Sequence, residues 1–483
     1  MNSTDYKRSQ NRKKEIKYMV EHGQINRTPL MIVLISGAFV AILNQTLLGT
    51  ALPHIMADLE INEALAQWLQ SIFMLVNGIM IPITAFLIGK FTTRSLFLTA
   101  MGSFAVGTLI CAIAPGFYVL LIGRVLQAAG AGIMMPLMQT IMFLVFPIEK
   151  RGTAMGMFGL VIAFAPAIGP TLSGYLVQHF DWRSLFYVIL PIAILDIIVA
   201  VKILVNVTKQ TDPKVDIPSI VLSTLGFGGL LYGFSTAGDV NHGWTSPLVL
   251  IPLIIGAVTL YIFISRQLKI AQPILEFRIF QYKMFTLTTA IGMISFFAMI
   301  GGAIILPIMM QSYLGFTAVQ SGLMLLPGAL LMGAMNPITG RLFDKFGGKW
   351  LAIIGLGLLT VTTFLFSTLT TETSFLYLTI VNAVRMFGIA MVMMPVTTAG
   401  LNQLPSDMVP HGTAMNNTMR QMAGAIGTAL LVSIMINQAN PSNGMAGMIH
   451  GVNMSFLVAA IISVVGFVLA FFIKNSIPGK IEN

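Results

Sequence analysis

Fourteen apolar stretches, each long enough to cross a bilayer as a helix, divide this chain. They lie at 29–52, 64–88, 95–114, 117–146, 152–177, 184–207, 217–236, 246–265, 284–310, 320–340, 350–370, 374–400, 412–437 and 450–473. Polar, Pro or Gly breaks separate them. Only 9% of the residues are charged and 56% are apolar, against roughly 25% charged in a soluble domain. So few charges cannot coat a water-soluble fold of 483 residues. The sequence therefore predicts an all-α membrane protein and excludes a soluble enzyme, a disordered scaffold and a secreted disulfide module. The single cysteine, Cys111, has no partner with which to form a disulfide.

The charges assign the sides. Seven Lys or Arg precede or begin the first span, and residues 1–27 lack the short apolar core and small-residue cleavage site of a signal peptide. They read as a basic cytoplasmic arm. With an even span count the tail, 474–483, falls on the same side, and 23 of the 27 Lys and Arg then lie there. Arg183 alone falls in an outside loop, where Asp58, Glu60, Glu63, Asp181, Asp239 and Glu372 gather. Arg124, Arg385 and Arg420 fall inside spans. A net charge of +10 that is sorted to one face suits anionic inner-leaflet lipid, not nucleic acid. The expected location is the plasma membrane, with both termini cytoplasmic.

The chain also repeats itself. Met134-Met135-Pro136 recurs as Met393-Met394-Pro395, and Gly152-Thr153-Ala154-Met155 as Gly412-Thr413-Ala414-Met415. Arg124 pairs with Arg385 in the same order, and Gly89-Lys90-Phe91 with Arg94 matches Gly340 through Lys349. Matches in one order at nearly one offset predict two parallel six-helix halves, 28–207 and 271–473. Between them lies an inserted helix pair, 208–270. Repeated bundles of this kind are the architecture of secondary transporters, which rock one half against the other around a midplane site.

From 28 to 473 the sequence resembles the fourteen-span drug/proton antiporters of the major facilitator superfamily, of the lincomycin-resistance type. The stretches that carry the resemblance are Leu43-Asn44-Gln45-Thr46 through Ala51-Leu52-Pro53, Gly123-Arg124-Val125-Leu126-Gln127, Pro166-Ala167-Ile168-Gly169-Pro170, Pro273-Ile274-Leu275-Glu276-Phe277-Arg278 and His411-Gly412-Thr413-Ala414-Met415-Asn416-Asn417. The implied fold is the major facilitator fold with two added central helices. The implied activity is proton-coupled export of amphiphilic drugs by alternating access.

The motifs have physical readings beside that resemblance. Span 5 carries Gly159, Ala163, Pro166, Ala167, Gly169, Pro170, Ser173 and Gly174. Small residues let another helix come close, and the two prolines bend the helix. The plainer reading is tight packing; the resemblance implies the exporter motif that seals the contact between halves. The loop Gly340-Arg341-Leu342-Phe343-Asp344-Lys345-Phe346-Gly347-Gly348-Lys349 matches the family's cytoplasmic pattern. It reads either as an ordinary positive-inside loop or as a latch in which Asp344 pairs with basic neighbours. In the first-half copy, with Gly89 and Arg94, Thr93 stands where the family usually has Asp.

Arg124 sits inside a span, where an unpaired guanidinium is costly. It reads either as a proton-coupling residue, as the resemblance implies, or as a structural Arg held by carbonyls. Many relatives carry a proton-exchanging Asp in span 1, but here the matching position is Asn44, which cannot titrate. The one carboxylate inside a predicted span is Asp196, a proton-site candidate by virtue of burial; Asp58 and Asp344 are further candidates. Asn44, Gln45, Asn77, Gln127, Gln139, Asn382, Arg385, Asn417, Arg420 and Gln421 are expected to line the substrate cavity, since a buried amide must find a partner. Amides, Met, Phe and Arg in place of carboxylates point to neutral, zwitterionic or anionic amphiphiles over permanent cations.

No Gly-x-x-x-x-Gly-Lys-Ser/Thr loop marks an ATP-driven pump, no Cys/His cluster marks a metal site, and no constellation suggests catalysis. The proton gradient is the expected energy source, with no cofactor. Small amphiphiles, protons and lipid are the expected partners of a monomer. The alternative is a permease or exporter for an endogenous metabolite or lipid-like anion.

Overall fold

A stretch of about 20 uncharged Leu, Ile, Val, Phe and Met residues, placed in hydrocarbon, must satisfy its own N–H and C=O groups, and a helix does so within one segment. The computed structural model describes residues 27–208, 210–211, 213–237 and 243–474, and among them the regular structure is entirely helical. The first half holds α1 (Arg27–Leu59), α2 (Glu63–Lys90), α3 (Thr93–Ala112), α4 (Phe117–Val145), α5 (Arg151–His179) and α6 (Ser184–Ile203). Next come α7 (Ile217–Ala237) and α8 (Pro247–Gln267). The second half holds α9 (Lys283–Ile308), α10 (Ala318–Phe346), α11 (Lys349–Leu365), α12 (Phe375–Leu401), α13 (Val409–Asn437) and α14 (Gly444–Ala470). The 14 long apolar helices are the 14 spans expected. The arm before Arg27, Lys209, Asp239 and the tail beyond Lys474 lie outside the described residues.

Several ends differ from the apolar runs. α1 continues to Leu59 where the run breaks at 52, α10 reaches Phe346 where 340 was expected, and α14 starts at Gly444 where 450 was expected. A hydropathy edge marks where hydrocarbon ends, whereas the helical ladder continues into the wetter interface. α6 does the reverse and stops at Ile203, short of 207. Its continuation is drawn into hydrogen bonds: Asn206 Oδ1 accepts from the Thr93 amide at 3.0 Å and its hydroxyl at 3.1 Å, and Thr208 Oγ1 meets Thr93 Oγ1 at 3.0 Å.

Within the first half α4 packs on α2 and α3, and α1 on α5; within the second half α12 packs on α10 and α11, and α9 on α13. The main contacts between halves are α5 with α10 and α13 with α2. Counted from the start of each half, these are the same pair of helices exchanged. The repeat in the sequence is thus an approximate two-fold relation in space.

The inserted pair leans on both halves through α7, which touches α2 and α13. Its two helices meet at glycines: a Cβ on Gly229 would stand 3.0 Å from the Gly256 Cα. Tyr232 of α7 stacks on Trp68 of α2 at 5.8 Å, and Trp244 Nε1 donates to Ser433 of α13 at 2.7 Å. At the other end Arg266 pairs with Asp216 at 3.0 Å, and Gln267 joins Ser219 to the Ile274 amide. Burial pushes the Asp216 carboxyl up, but the bonds from Arg266 and Ser219 outweigh it and leave it below its ordinary value.

Candidate functional site

The loops rich in Lys and Arg share one end of the bundle, here called the basic end, and there the two halves lock together. α5 and α10 approach through small residues. Gly152 lies against the Gly340 carbonyl, and a Cβ on Gly156 would stand 2.5 Å from the Asn336 carbonyl oxygen. One on Gly159 would stand 2.7 Å from both the Asn336 and Met394 side chains, and Phe164 fills the notch at Gly333. Backbones this close exclude any side chain between them.

Polar side chains complete the closure. Asp344, at the end of α10, accepts from the Gly152 amide at 2.7 Å, the Thr153 amide at 2.8 Å and the Thr153 hydroxyl at 2.6 Å. It caps the first turn of α5 in the opposite half, where free N–H groups and the positive end of the helix dipole favour a carboxylate. The expected pairing with basic neighbours is not what holds it: its partners are backbone and Thr153. Arg151 donates to Asn402 at 2.8 Å, Thr140 and Thr413 share a hydrogen bond of 2.7 Å, and Asn417 donates to Gln139 at 2.6 Å. Thr153 and Thr413 are the same residue of the repeated Gly-Thr-Ala-Met, and each fastens its helix to the opposite half.

The first-half copy of the loop does something else. The Gly89 carbonyl accepts from the Thr211 amide at 2.9 Å, and Thr93 is engaged by Asn206 and Thr208. The loop around Gly89 and Arg94 is therefore bound to the connection between α6 and α7, and only the second-half loop, Gly340 to Gly347, latches across the molecule. Gly347 ends α10 with φ +78°, a backbone that favours glycine.

Towards the other end no hydrogen bond joins the halves among the described residues. The outer half of α5 turns to α1 in its own half: Gly169 packs on Thr46, and Thr50 donates to Ser173 at 2.5 Å. A Cβ on Gly174 or on Gly322 of α10 would meet nothing within 4 Å, and Gly49, Thr50, Pro166, Pro170 and Thr171 are exposed. The small-residue motif of α5 thus serves two contacts. Gly159 seals against the second half, Gly169 packs within the first, and Gly174 touches neither.

Arg124 is buried and held within the first half. Nε donates to the Leu69 carbonyl at 3.1 Å, Nη1 to Gln127 at 2.9 Å, and the guanidinium lies 4.3 Å from the Phe73 ring centre. Gln127 passes the network on to Thr108 at 2.8 Å and to Asn44 at 3.4 Å. Both readings of Arg124 meet here, since a carbonyl holds it and an amide chain leads from it to α1. Asp196 is buried on α6 between Ser36, which donates to it, and Gly37 and Met134. Its Oδ2 has no protein partner. Ser36 was not singled out in the sequence; a lone serine in an apolar run carries no signal of which carboxylate it faces. Asp58 is engaged otherwise than expected: Arg183 and Trp182 each bind it at 2.9 Å, tying α1 to the start of α6 at the outer end.

The second half carries Arg385 and Arg420, both buried, and among the described residues no carboxylate is bonded to either. Arg385 donates to the Ala298 carbonyl and Arg420 to Met393 at 3.2 Å and to Thr397. Asn382 and Asn336 are buried with both amide atoms unpartnered. Asn77 is buried against Gly132, while Gln45 and Gln421 are half-buried.

Fourteen apolar helices and two halves related by an internal exchange and bonded to each other at one end are the architecture of a membrane transporter. The Major Facilitator Superfamily profile matches residues 34–428, and the chain belongs to that family. It is 56% identical over 459 residues to the uncharacterized MFS-type transporter YcnB of Bacillus subtilis, covering 94% of this chain and 97% of that one. It is 44% identical over 458 residues to the lincomycin resistance protein LmrB of Bacillus subtilis, covering 92% and 96%. Among solved structures, the human organic anion transporter MFSD10 superposes with a TM-score of 0.64 at 15% identity, over 92% of this chain and 99% of that one. At that identity it shows the fold alone. The chain is a multi-pass membrane transporter and not an enzyme.

Proposed function

We propose that this transporter exports amphiphilic drugs in exchange for protons, moving one half (28–207) against the other (271–473) while the inserted segment 208–270 bridges them. The observation that carries the reading is the single-ended closure: Asp344, Thr140, Arg151 and Asn417 bond the halves at and near the basic end, and among the described residues no such bond joins the halves at the opposite end. In this proposal the basic end faces the cytoplasm and both termini lie there, in the plasma membrane. The state described is then the one that releases cargo outward. Similarity to a lincomycin resistance protein over nearly the whole chain supports drugs as cargo.

Cargo reaches the site when Asp344 releases α5 and the basic end opens. The polar surface it meets is amide and guanidinium: Gln139, Asn417, Asn336, Asn382 and Arg420 are buried and offer unpartnered or exchangeable donors. Neutral, zwitterionic and anionic amphiphiles fit it better than permanent cations. Protons re-enter from outside through groups that change charge. Asp196 is the first candidate, with the Arg124–Gln127–Asn44 chain poised beside α1; Asp344 ties protonation to the latch. The surplus of buried Arg over carboxylate also favours the second reading, an endogenous anion or lipid-like metabolite as natural cargo.

The test is drug accumulation in cells with and without the protein, before and after an uncoupler. Proton-coupled export lowers accumulation and loses that effect on uncoupling. An effect that survives the uncoupler removes proton exchange, and no effect for any drug leaves the dedicated permease.

A further inference from the structure

The three buried arginines are not alike. Arg124 is enclosed by carbonyl, amide and ring. Arg385 also has unpartnered nitrogens, Nε and Nη1, but its guanidinium itself fills the notch at Gly302 and leaves no space beside it. Arg420 differs: Nη2 is bound by Met393 and Thr397, but Nε has no protein partner. One helical turn earlier on the same face of α13, Asn416 Nδ2 is also unpartnered and buried. Facing both is Gly292 of α9. A Cβ built there meets nothing closer than 3.9 Å, and the atoms it meets are Arg420 Nε and Asn416 Oδ1.

The missing side chain of Gly292 therefore opens a gap walled by a guanidinium edge and a carboxamide. The spans α9–α14 hold one carboxylate, Asp344, and it is engaged at the basic end by α5. Nothing in the second half balances Arg420. A buried charge without a counter-charge is strongly disfavoured, and a donor edge of Arg with an amide beside it is the arrangement that binds a carboxylate or a small anion.

We propose that the gap beside Gly292 is a binding subsite for one monovalent anionic group, a carboxylate or a halide, held by Arg420 Nε–H, with the Asn416 carboxamide, whose Oδ1 now faces the gap, turning its unpartnered Nδ2–H toward the anion. Its use in transport, as the place where an acidic cargo docks its carboxylate or a halide stands in for it, rests on the exporter reading; its ability to bind does not.

The full chain is purified into nanodiscs in sodium sulfate at fixed ionic strength and titrated separately with chloride, acetate and benzoate while its melting is followed. The expected result is a saturable rise in Tm of about 2–4 °C with at least one of the three. Response to the carboxylates alone identifies a cargo carboxylate subsite; response to chloride as well identifies a small-anion site. Arg420→Gln abolishes the rise. Because that variant also disturbs the contacts to Met393 and Thr397, Gly292→Val provides the second arm: it fills the gap, leaves both polar residues in place and abolishes the rise. No rise in the wild type for any anion, or an unchanged rise in Gly292→Val, overturns the subsite. Drug accumulation in cells carrying the same variants separates the two readings: absent export with an intact anion response defeats the exporter reading alone, and intact export with no anion response defeats the subsite alone.

Discussion

Asp344 owes its role to where α10 ends. A carboxylate one turn earlier would fall at Gly340, packed against Gly152 of α5, and one turn later would lie in the turn at Gly347. At its actual position it reaches three donors in the first turn of α5. Hydrogen bonds to an ionised group contribute about 1.5–3 kcal/mol each when buried. Asp344→Ala is therefore expected to shift the balance away from the closed basic end at least tenfold, a change of about 1.4 kcal/mol. The measurement is thiol labelling of Thr413→Cys from the basic face in vesicles, which should quicken by that factor; an unchanged rate would mean that the glycine contacts alone hold the closure. Asp196 is tested by charge. If it carries the exchanged proton, Asp196→Asn leaves drug binding within about twofold but removes the effect of an uncoupler on residual export. Retained uncoupler sensitivity would move the proton site elsewhere.

At the scale of elements, α5 carries one small-residue stripe with two jobs, and substitutions separate them. A Cβ on Gly156 would stand 2.5 Å from a backbone oxygen that cannot rotate away, so Gly156→Ala forces α5 and α10 apart and is expected to reduce export at least tenfold. Gly174→Ala meets no atom within 4 Å and should keep more than half of wild-type export. Equal losses in the two variants, read from drug accumulation at matched expression, would show that helix propensity and not approach distance decides. The stripe was legible in the sequence because small residues recur at helical spacing. Its division between α10 and α1 was not, since periodicity tells which residues share a face and not which neighbour that face meets. The span count was legible for a related reason, since hydrocarbon permits few alternatives; a repeated tetrapeptide marks equivalent helix starts but not which helices of the two halves meet. The bonds of Thr93 to Asn206 and of Ser36 to Asp196 were hidden, because short polar side chains in apolar surroundings carry no record of a partner distant in sequence. The partners of Asp58, a proton-site candidate, were hidden as well. An acid at the end of a span looks available, and only the fold brings Arg183 to it.

For the whole molecule, the repeated Gly-Thr-Ala-Met places equivalent threonines where each half grips the other: Thr153 holds Asp344 of α10, and Thr413 holds Thr140 of α4. If the halves rock as rigid bodies, both grips must open together for the basic end to admit cargo. Linking one covalently should then arrest the cycle without unfolding either half. Thr140→Cys with Thr413→Cys brings two sulfurs to where hydroxyls now sit 2.7 Å apart, within the range a disulfide closes after small side-chain adjustment. The one native thiol, Cys111, is buried on α3 and does not compete. Oxidation should lower drug export by more than tenfold while leaving access from the open end, and reduction should restore it. The double variant is compared before and after oxidation in the same vesicles, so any cost of the substitutions themselves cancels. Export that continues unchanged through the cross-link would mean that cargo crosses without parting the basic end, and the rocking mechanism would have to be abandoned for this protein.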